Sequence, residues 1–304
     1  MITRAIILLV TGYLVASSAS AQLVPENTTV QLGEHSYAIP DQGIGGVPNV
    51  GIIVGDRATL VIDPGLGERN GETVLREVAK ISSNTELYIA TTHYHPEHTT
   101  GIAAFPDSAI YINSVVQETE NMENGERVIQ RFSGRSALMG ELLLGAGLHT
   151  ADITYDRQYS LDLGGVTVEF LVVGPTHTVG DTGFFVAQDK VLFSGDVVMN
   201  NSFVSANAGS SLTAWLTAFD LFEDMGPETI VPAHGEIGDD SSINILRDIL
   251  SGIQTRAREL KAAGVSVEDT GTRVQAEMEA LHPDWSRANG VSALAQVAWA
   301  NAPN

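Results

Sequence analysis

The sequence of 304 residues contains no cysteine, and this absence removes several kinds of chemistry at once. Disulfides, thiolate catalysis, iron–sulfur clusters and cysteine-ligated zinc are all excluded. Any metal ion must therefore be held by histidine, aspartate or glutamate. Stability depends on the packing of the core, for which the 43% of hydrophobic residues provide ample material.

Positive charge is also scarce. Sixteen Lys and Arg residues stand against 37 Asp and Glu residues, which gives a formal net charge of -21, and the only lysines are Lys80, Lys190 and Lys261. A nucleic-acid partner requires clustered basic side chains, so we expect no nucleic acid among the partners. The same excess of carboxylates disfavours anionic lipids. We expect the partner to be a small-molecule substrate.

The N-terminal residues have the features of an export signal. Arg4 precedes an apolar run over 5–16, which is shorter than the roughly 20 residues of a membrane span. Ala19 and Ala21 have the spacing of a cleavage site. We predict a signal peptide over 1–21, a periplasmic or secreted mature protein, and no stable membrane association once the signal is removed. A short uncleaved membrane anchor is the alternative.

No linker divides the remaining chain, and we predict one domain over 22–304 with helices at its C-terminal end. Two successive blocks of strands and helices are apparent from the apolar periodicity. The predicted strands are 50–54, 58–62, 87–92 and 109–113, then 160–163, 166–173, 183–187, 191–194 and 229–232. The predicted helices are 71–81, 114–144 with an irregularity at Asn124-Gly125, 212–225, a long helix with apolar residues from Ile243 to Leu260, and a last helix over 274–281. This pattern indicates an α/β fold with two sheets packed face to face and helices outside.

Four potential metal ligands follow the third predicted strand. His93, His95, Glu97 and His98 lie within six residues at the end of an apolar run. A loop at a strand end directs alternate side chains around one point, and imidazole and carboxylate are suitable metal ligands. A single histidine is more often a structural residue, but this combination predicts a metal site.

Three further polar residues follow strands of the second block, namely His177, Asp196 and His234. Because ligands gather where strands end at the edge of a sheet, we expect these side chains to join the first segment. Taken alone, Asp196 would be interpreted as a turn or helix cap. The other three histidines lack this context, and we interpret them as structural or surface residues: His35, His149 and His282.

The ordered set His93-x-His95-x-Glu97-His98, His177, Asp196 and His234, together with Asp63, resembles the metallo-β-lactamase superfamily over about residues 50–238. The resemblance implies an αβ/βα sandwich, with two mixed β-sheets inside, helices outside and two zinc ions at the sheet edge. It implies that the first metal is held by His93, His95 and His177, and the second by Glu97, His98 and His234, with Asp196 bridging them. Asp63 would orient a ligand imidazole or the loop; the alternative is a plain turn residue.

The ligand types predict a hydrolase. Two zinc ions lower the pKa of a shared water from about 15.7 towards 7 and polarise the scissile oxygen, so a zinc-bound hydroxide replaces a protein nucleophile. The chain has no Ser-x-x-Lys or Gly-x-Ser-x-Gly pattern of an activated serine. We assign catalytic roles to Asp196 and to Glu97, which would accept a hydrogen bond from the water or pass a proton to the leaving group.

Two positions depart from the superfamily pattern. Glu97 replaces the usual aspartate, and its extra methylene displaces the carboxylate by about 1.5 Å, whereas metal–ligand distances tolerate only about 0.2 Å. We therefore expect a weaker or shifted second metal. Met199 stands where the best-known zinc β-lactamases, which have cysteine at the position of Asp196, carry a substrate-binding lysine.

Export favours β-lactams among the substrates of this superfamily, and we predict a promiscuous β-lactamase that confers antibiotic resistance. An exported lactonase, esterase or phosphodiesterase is the alternative. An iron-dependent redox enzyme on the same scaffold and a structural metal or binding module are further alternatives. The predicted substrate contacts are Asn200, Asn201 and Ser202, in the loop over 199–211. The alternative is that this segment is an ordinary polar loop with no role in binding.

Overall fold

The computed structural model describes residues 22–207 and 209–303. The predicted signal peptide over 1–21 lies outside these residues. Two β-sheets face each other, and helices cover their outer surfaces. Among the helices in the described part of the chain, none has both the length and the apolar character needed to cross a bilayer.

The first sheet has seven strands whose spatial order follows the chain. Its first four strands are antiparallel neighbours, and the last four run parallel to one another. The strands are β1 (Val30–Gln31), β2 (Ser36–Ile39), β3 (Val50–Val54), β4 (Ala58–Ile62), β5 (Glu86–Ala90), β6 (Ile110–Ser114) and β7 (Ile153–Tyr155).

The second sheet has five strands in the order β12-β11-β10-β9-β8, of which only β11 and β12 pair in parallel. They are β8 (Gln158–Asp162), β9 (Thr167–Val172), β10 (Thr182–Val186), β11 (Val191–Gly195) and β12 (Thr229–Pro232). The helices are α1 (Glu68–Ile81), α2 (Pro96–Thr99), α3 (Val115–Ser133), α4 (Ala137–Leu142), α5 (Leu212–Met225), α6 (Ser241–Ala262), α7 (Val267–Leu281) and α8 (Val291–Asn301).

The two-residue period of the strands explains the layers. In β4, Leu60 and Ile62 face the second sheet and pack with its residues, whereas Val61 faces α1. The outer face of the second sheet packs against α5 to α8 through one apolar cluster that contains Trp215 and Phe219. The predicted α/β sandwich is therefore confirmed.

Three features of the chain differ from the predictions. The helix does not break near Asn124, because α3 runs through Gly125, where a Cβ would lie only 2.5 Å from a side-chain carbon of Leu148. This glycine permits close packing and does not mark a turn. The prediction that the last helix ends the fold was wrong, since α8 follows α7. The short strands β1, β2 and β7 were not predicted.

Candidate metal centre

Three histidines from two loops converge on one point. His93 and His95 follow β5, and His177 lies between β9 and β10. The Nδ1 atom of His95 lies 3.0 Å from Nε2 of His93 and 3.4 Å from Nε2 of His177. All three side chains are buried. We call His93, His95 and His177 the histidine group.

A second set contains a carboxylate. Glu97 and His98 lie on the short helix α2, and His234 follows β12. The Oε1 atom of Glu97 is 3.9 Å from Nε2 of His98, and the rings of His98 and His234 are 5.4 Å apart between centroids. In each set, one donor atom from every residue lies within 4.8 Å of the others. We call Glu97, His98 and His234 the glutamate group.

Asp196 lies between the two groups, at the end of β11. Its Oδ2 atom is 3.6 Å from Nε2 of His177, and its Oδ1 atom is 3.8 Å from Nε2 of His234. One carboxylate oxygen therefore faces each group. This is the arrangement that a bridging ligand needs, although ligation itself stays a prediction.

Backbone carbonyls orient two of the imidazoles. Nδ1 of His177 lies 2.7 Å from the carbonyl oxygen of Ser205, and Nδ1 of His234 lies 2.9 Å from that of Val47. A carbonyl only accepts hydrogen bonds, so each Nδ1 carries the hydrogen and donates it. Nε2 of each ring then presents its lone pair towards the centre.

Asp63 has the contacts expected of a residue that supports this loop. Its carboxylate accepts hydrogen bonds from the backbone N–H and the hydroxyl of Thr92, both at 2.7 Å, and its Oδ2 atom lies 3.0 Å from Nδ1 of His98. Its φ of 57° is a left-handed conformation that aspartate adopts more readily than most residues. Asp63 thus contacts both a candidate ligand and the residue that begins the ligand loop.

Buried polar atoms without partners test whether a metal fits these residues. Among the described residues, Glu97 Oε2, Asp196 Oδ1 and His98 Nε2 are buried and have no hydrogen-bond partner. Such atoms destabilise a fold unless another group satisfies them. Because all are nitrogen or oxygen donors that converge, a divalent cation of the zinc or iron type fits them.

The pKa shifts follow from burial. Burial lowers the pKa values of His93, His95 and His98 well below the ordinary range, so these rings are in the neutral form that binds metals. Burial raises the pKa of Glu97 to about 8, with a further contribution from the charge of Asp196. The carboxylate form of Glu97 therefore needs a nearby cation.

Asp63 and Asp196 respond differently to the same burial. Burial raises the pKa of Asp63 to about 7, despite the hydrogen bonds from Thr92. Burial would also raise the pKa of Asp196, but the positive charge of Arg287 holds it well below its usual range. Asp196 is therefore ionised at neutral pH.

Two arginines around this centre were not predicted from the sequence. Arg287 donates from a terminal guanidinium nitrogen to Asp196 Oδ2 at 2.9 Å, and Arg135 lines the same openings. Two adjoining cavities, of about 630 and 290 Å³, share Glu97, Arg135 and Arg287 in their walls. No motif marks these arginines; only the scarcity of basic residues in an acidic chain could have singled them out.

The predicted substrate contacts divide between two places. Ser202 lines the 630 Å³ cavity beside the metal centre. Asn200 and Asn201 instead line a neighbouring cavity of about 640 Å³, together with His282 and Trp285. The three histidines interpreted as structural, His35, His149 and His282, belong to neither group of candidate ligands. The substrate roles of Asn200, Asn201 and Ser202 stay predictions.

The family follows from the sequence profile that matches the chain. The profile of the metallo-beta-lactamase superfamily covers residues 43–234, which is well over half of the sequence. The chain belongs to this superfamily. Both groups of candidate ligands lie within the matched region.

Two curated relatives of this superfamily member have different activities in their names. A linear primary-alkylsulfatase of Pseudomonas sp. (strain ATCC 19151) is 23% identical over 208 residues, which are 58% of this chain and 39% of the relative. An atrochrysone carboxyl ACP thioesterase of Aspergillus terreus is 22% identical over 244 residues, 79% of this chain and 64% of the relative. The chain thus spans less than two thirds of either relative.

Two solved structures share the fold of this chain. A metallo-beta-lactamase from Pontibacter korlensis superposes with a TM-score of 0.59 at 19% identity, covering 72% of this chain and 96% of that protein. The inverting sec-alkylsulfatase Pisa1 from Pseudomonas sp. gives a TM-score of 0.68 at 16% identity, covering 90% of this chain and 49% of that one. These similarities establish the fold and leave the substrate to other arguments.

Proposed function

We propose that the protein is a zinc-dependent hydrolase. The observation that carries this proposal is the convergence of the histidine group and the glutamate group on the two oxygens of Asp196, beside an open cavity. His93, His95 and His177 would hold one zinc ion, and Glu97, His98 and His234 the other. When bound, two zinc ions supply a hydroxide at neutral pH and polarise the scissile oxygen.

The chain's own residues have two further tasks in this proposal. Glu97 lines the cavity, and its buried Oε2 atom has no partner among the described residues, so it is placed to take up or return a proton during bond cleavage. Arg287 fixes the orientation of Asp196.

We propose the amide of a β-lactam as the first substrate. The predicted export and the similarity in fold to β-lactamases support this choice. Met199 cannot replace the usual lysine, because its side chain is buried at 1% exposure and carries no charge. Arg135 and Arg287 instead supply the positive charge that the carboxylate of a β-lactam needs.

A sulfate ester is the second candidate. The superposition with the alkylsulfatase covers 90% of this chain, compared with 72% for the β-lactamase. An alkylsulfatase is also among the curated relatives. A sulfate ester is a permanent anion, and the arginine-lined cavity suits it as well as it suits a carboxylate.

The experiment uses the chain from Gln22, purified without metal. Hydrolysis of a chromogenic cephalosporin and release of sulfate from an alkyl sulfate are followed before and after stoichiometric zinc, with His95→Ala as the inactive control. Zinc-dependent turnover that disappears in His95→Ala supports the hydrolase, and the faster substrate identifies the class. Turnover of neither substrate argues against both substrate classes. Metal analysis of the purified protein distinguishes zinc from iron.

We also propose that the mature protein acts in the periplasm or outside the cell, on a small molecule and without a nucleic-acid or stable membrane partner. The sequence features of residues 1–21 and the net charge of -21 support this proposal. N-terminal sequencing of the protein recovered from a cell fractionation tests it. A mature N-terminus at Gln22 outside the cytoplasm is the expected result.

A further inference from the structure

The charge of the cavity contrasts with that of the chain. The protein carries a net charge of -21, yet the small cavity over the metal centre is lined by three of its few basic residues: Arg131, Arg135 and Arg287. The carboxylates in this wall are Glu97 and Asp196, which belong to the metal centre. In the adjoining cavity, the carboxylate of Asp41 accepts hydrogen bonds from the backbone N–H groups of Gly43 and Gly235. In the wall of the small cavity, three arginines therefore face two carboxylates, and both carboxylates belong to the metal centre.

Arg287 uses only part of its hydrogen-bonding capacity. A guanidinium carries five N–H donors, and the described residues accept one of them, through Asp196 Oδ2. The side chain is 30% exposed and lines both cavities. The remaining donors can bind an anion in the bidentate manner that carboxylates and sulfates favour. Arg287 can do so without releasing Asp196.

The backbone of Arg287 is held in an unusual conformation. Its φ of 61° is left-handed, a conformation that residues other than glycine keep only when neighbouring contacts enforce it. The preceding Ser286 accepts a hydrogen bond from Phe203 N–H at 3.1 Å, and the hydroxyls of Ser286 and Ser202 are 2.9 Å apart. The segment that carries Arg287 is therefore fixed to the loop that follows Asp196.

Arg135 provides a second guanidinium in the same wall. It stacks on the ring of Phe132, 3.5 Å from the ring centroid, and that ring is 5.9 Å from the ring of His95. Among the described residues no carboxylate forms an ion pair with Arg135. Stacking fixes the plane of the guanidinium while its edges stay available.

We propose that Arg287 and Arg135 select substrates that carry an oxyanion, a carboxylate or a sulfate group, close to the scissile bond. Arg287 binds the anion while it remains hydrogen-bonded to Asp196, and Arg135 binds it from the α3 side of the cavity. The proposal rests on the proposed hydrolase and narrows its substrate class to anions. It also gives the segment between α7 and α8, outside the matched region 43–234, a direct role at the centre.

The kinetic test uses two substrates that differ only in charge, a chromogenic cephalosporin and its methyl ester, with zinc-loaded protein. Arg287→Gln should raise KM for the free acid about 10- to 100-fold more than it raises KM for the ester, while any loss of kcat that acts through Asp196 should be the same for both substrates. Arg287→Lys, which retains the charge, should recover part of the loss. Arg258→Gln, an exposed arginine on α6, is the matched control and should change neither value. Equal losses on both substrates overturn the proposal, because Arg287 would then only position Asp196.

A binding test separates this proposal from the proposed hydrolysis. Calorimetry follows inorganic sulfate binding to the zinc-loaded wild type, Arg287→Gln, Arg135→Gln and Arg258→Gln, with zinc content and thermal unfolding checked for each. Affinity that falls at least about 10-fold in the first two variants and is unchanged in Arg258→Gln supports the anion site even where no substrate is turned over. Sulfate affinity that is undetectable in the wild type, or equal in all proteins, overturns it.

Discussion

The histidine group and the glutamate group have the same construction but differ in charge. In both, contacts to outer atoms orient the imidazoles, such as the Ser205 carbonyl for His177 and the Val47 carbonyl for His234. In the histidine group, burial keeps His93 and His95 neutral at neutral pH, whereas the glutamate group contains a carboxyl group, that of Glu97, whose ionisation is disfavoured by burial. The histidine group contains no carboxylate that needs a cation for its ionisation. In the glutamate group, a bound cation would stabilise the carboxylate form of Glu97.

The difference in charge predicts that the two groups bind zinc in different ways. A set of three histidines carries no carboxylate and binds zinc through the geometry of its nitrogen ligands. A set with a buried carboxylate gains more electrostatic energy from the cation, but it competes with a proton for the same oxygen. We therefore expect the two metals to differ in affinity, in pH dependence and in their response to substitution.

Removal of a histidine from the histidine group should have the largest effect. His95→Ala should lower the zinc content from two ions to about one per chain and kcat/KM by about 1000-fold or more, because the nucleophile and the polarising metal depend on both sites. His149→Ala, at a half-buried histidine that belongs to neither group, is the control. Metal analysis and steady-state kinetics measure the outcome. Retention of two ions with turnover near that of the wild type contradicts the assignment of His95.

A shorter carboxylate side chain at position 97 should change the affinity of one zinc site and leave the other unchanged. The longer side chain of Glu97 already brings an oxygen within 4.8 Å of the donor atoms of His98 and His234 in this structure. Glu97→Asp withdraws that oxygen by about 1.5 Å, so the larger of the two zinc dissociation constants should increase by about 10-fold or more, while the smaller one stays within about 2-fold. A competition titration against a chelating indicator resolves the two constants. Two equally tight sites that both ignore this substitution would show that Glu97 is not a ligand.

Asp63 should matter for the glutamate group more than for the histidine group, since it contacts His98. Asp63→Asn should weaken the second zinc site by about 10- to 100-fold, as is typical for partners of metal-bound histidines. Asp107→Asn, an exposed aspartate, is the matched control. The same titration reports both constants. If Asp63→Asn has the zinc affinity and the unfolding temperature of the wild type, Asp63 does not support the metal centre and is only a turn residue.

Much of the fold follows from local sequence. Strands β3, β4 and β12 and helix α5 have the predicted bounds at both ends, because apolar runs are interrupted by turn residues such as Gly55 and Gly226. The family and the sandwich were confirmed, since the candidate ligands follow strand ends and strand ends meet at one edge. The short strands β1, β2 and β7 contain two to four residues, too few for a recognisable period.

The remaining parts depend on contacts between distant segments. The carbonyls of Val47 and Ser205 orient ligands, but a backbone carbonyl leaves no trace in the residue type. Arg287 reaches Asp196 across 91 positions of sequence, and nothing near it resembles a motif. Helix α8 could have been predicted from the sequence, because its buried face has apolar residues at helical spacing, namely Val291, Leu294, Ala295 and Ala298.

The smallest expected effect concerns the stability of the metal-free protein and follows from the sign of the Glu97 shift. Its pKa is raised from 4.5 to about 8, so the folded state favours the protonated form. The corresponding stability is fully present below pH 4.5 and is lost as the pH rises to about 8. Glu97→Gln is neutral at every pH, so its Tm should exceed that of the wild type by about 5 °C or more at pH 8.5 and by much less near pH 5. Protonation of the histidines and of Asp63 affects both proteins and cancels in this difference.

Zinc should act in the opposite direction on the Tm difference between the wild type and Glu97→Gln, because only the carboxylate of Glu97 is stabilised by the cation. At pH 8.5, saturating zinc should raise the Tm of the wild type more than that of Glu97→Gln. Glu126→Gln, an exposed glutamate on α3, should behave as the wild type at both pH values and with both metal contents. Thermal unfolding with and without a chelator measures all of these. A Tm difference between wild type and Glu97→Gln that stays constant from pH 5 to 8.5 would mean that Glu97 is solvated and ionised without metal, and the two groups would then not differ in charge as proposed.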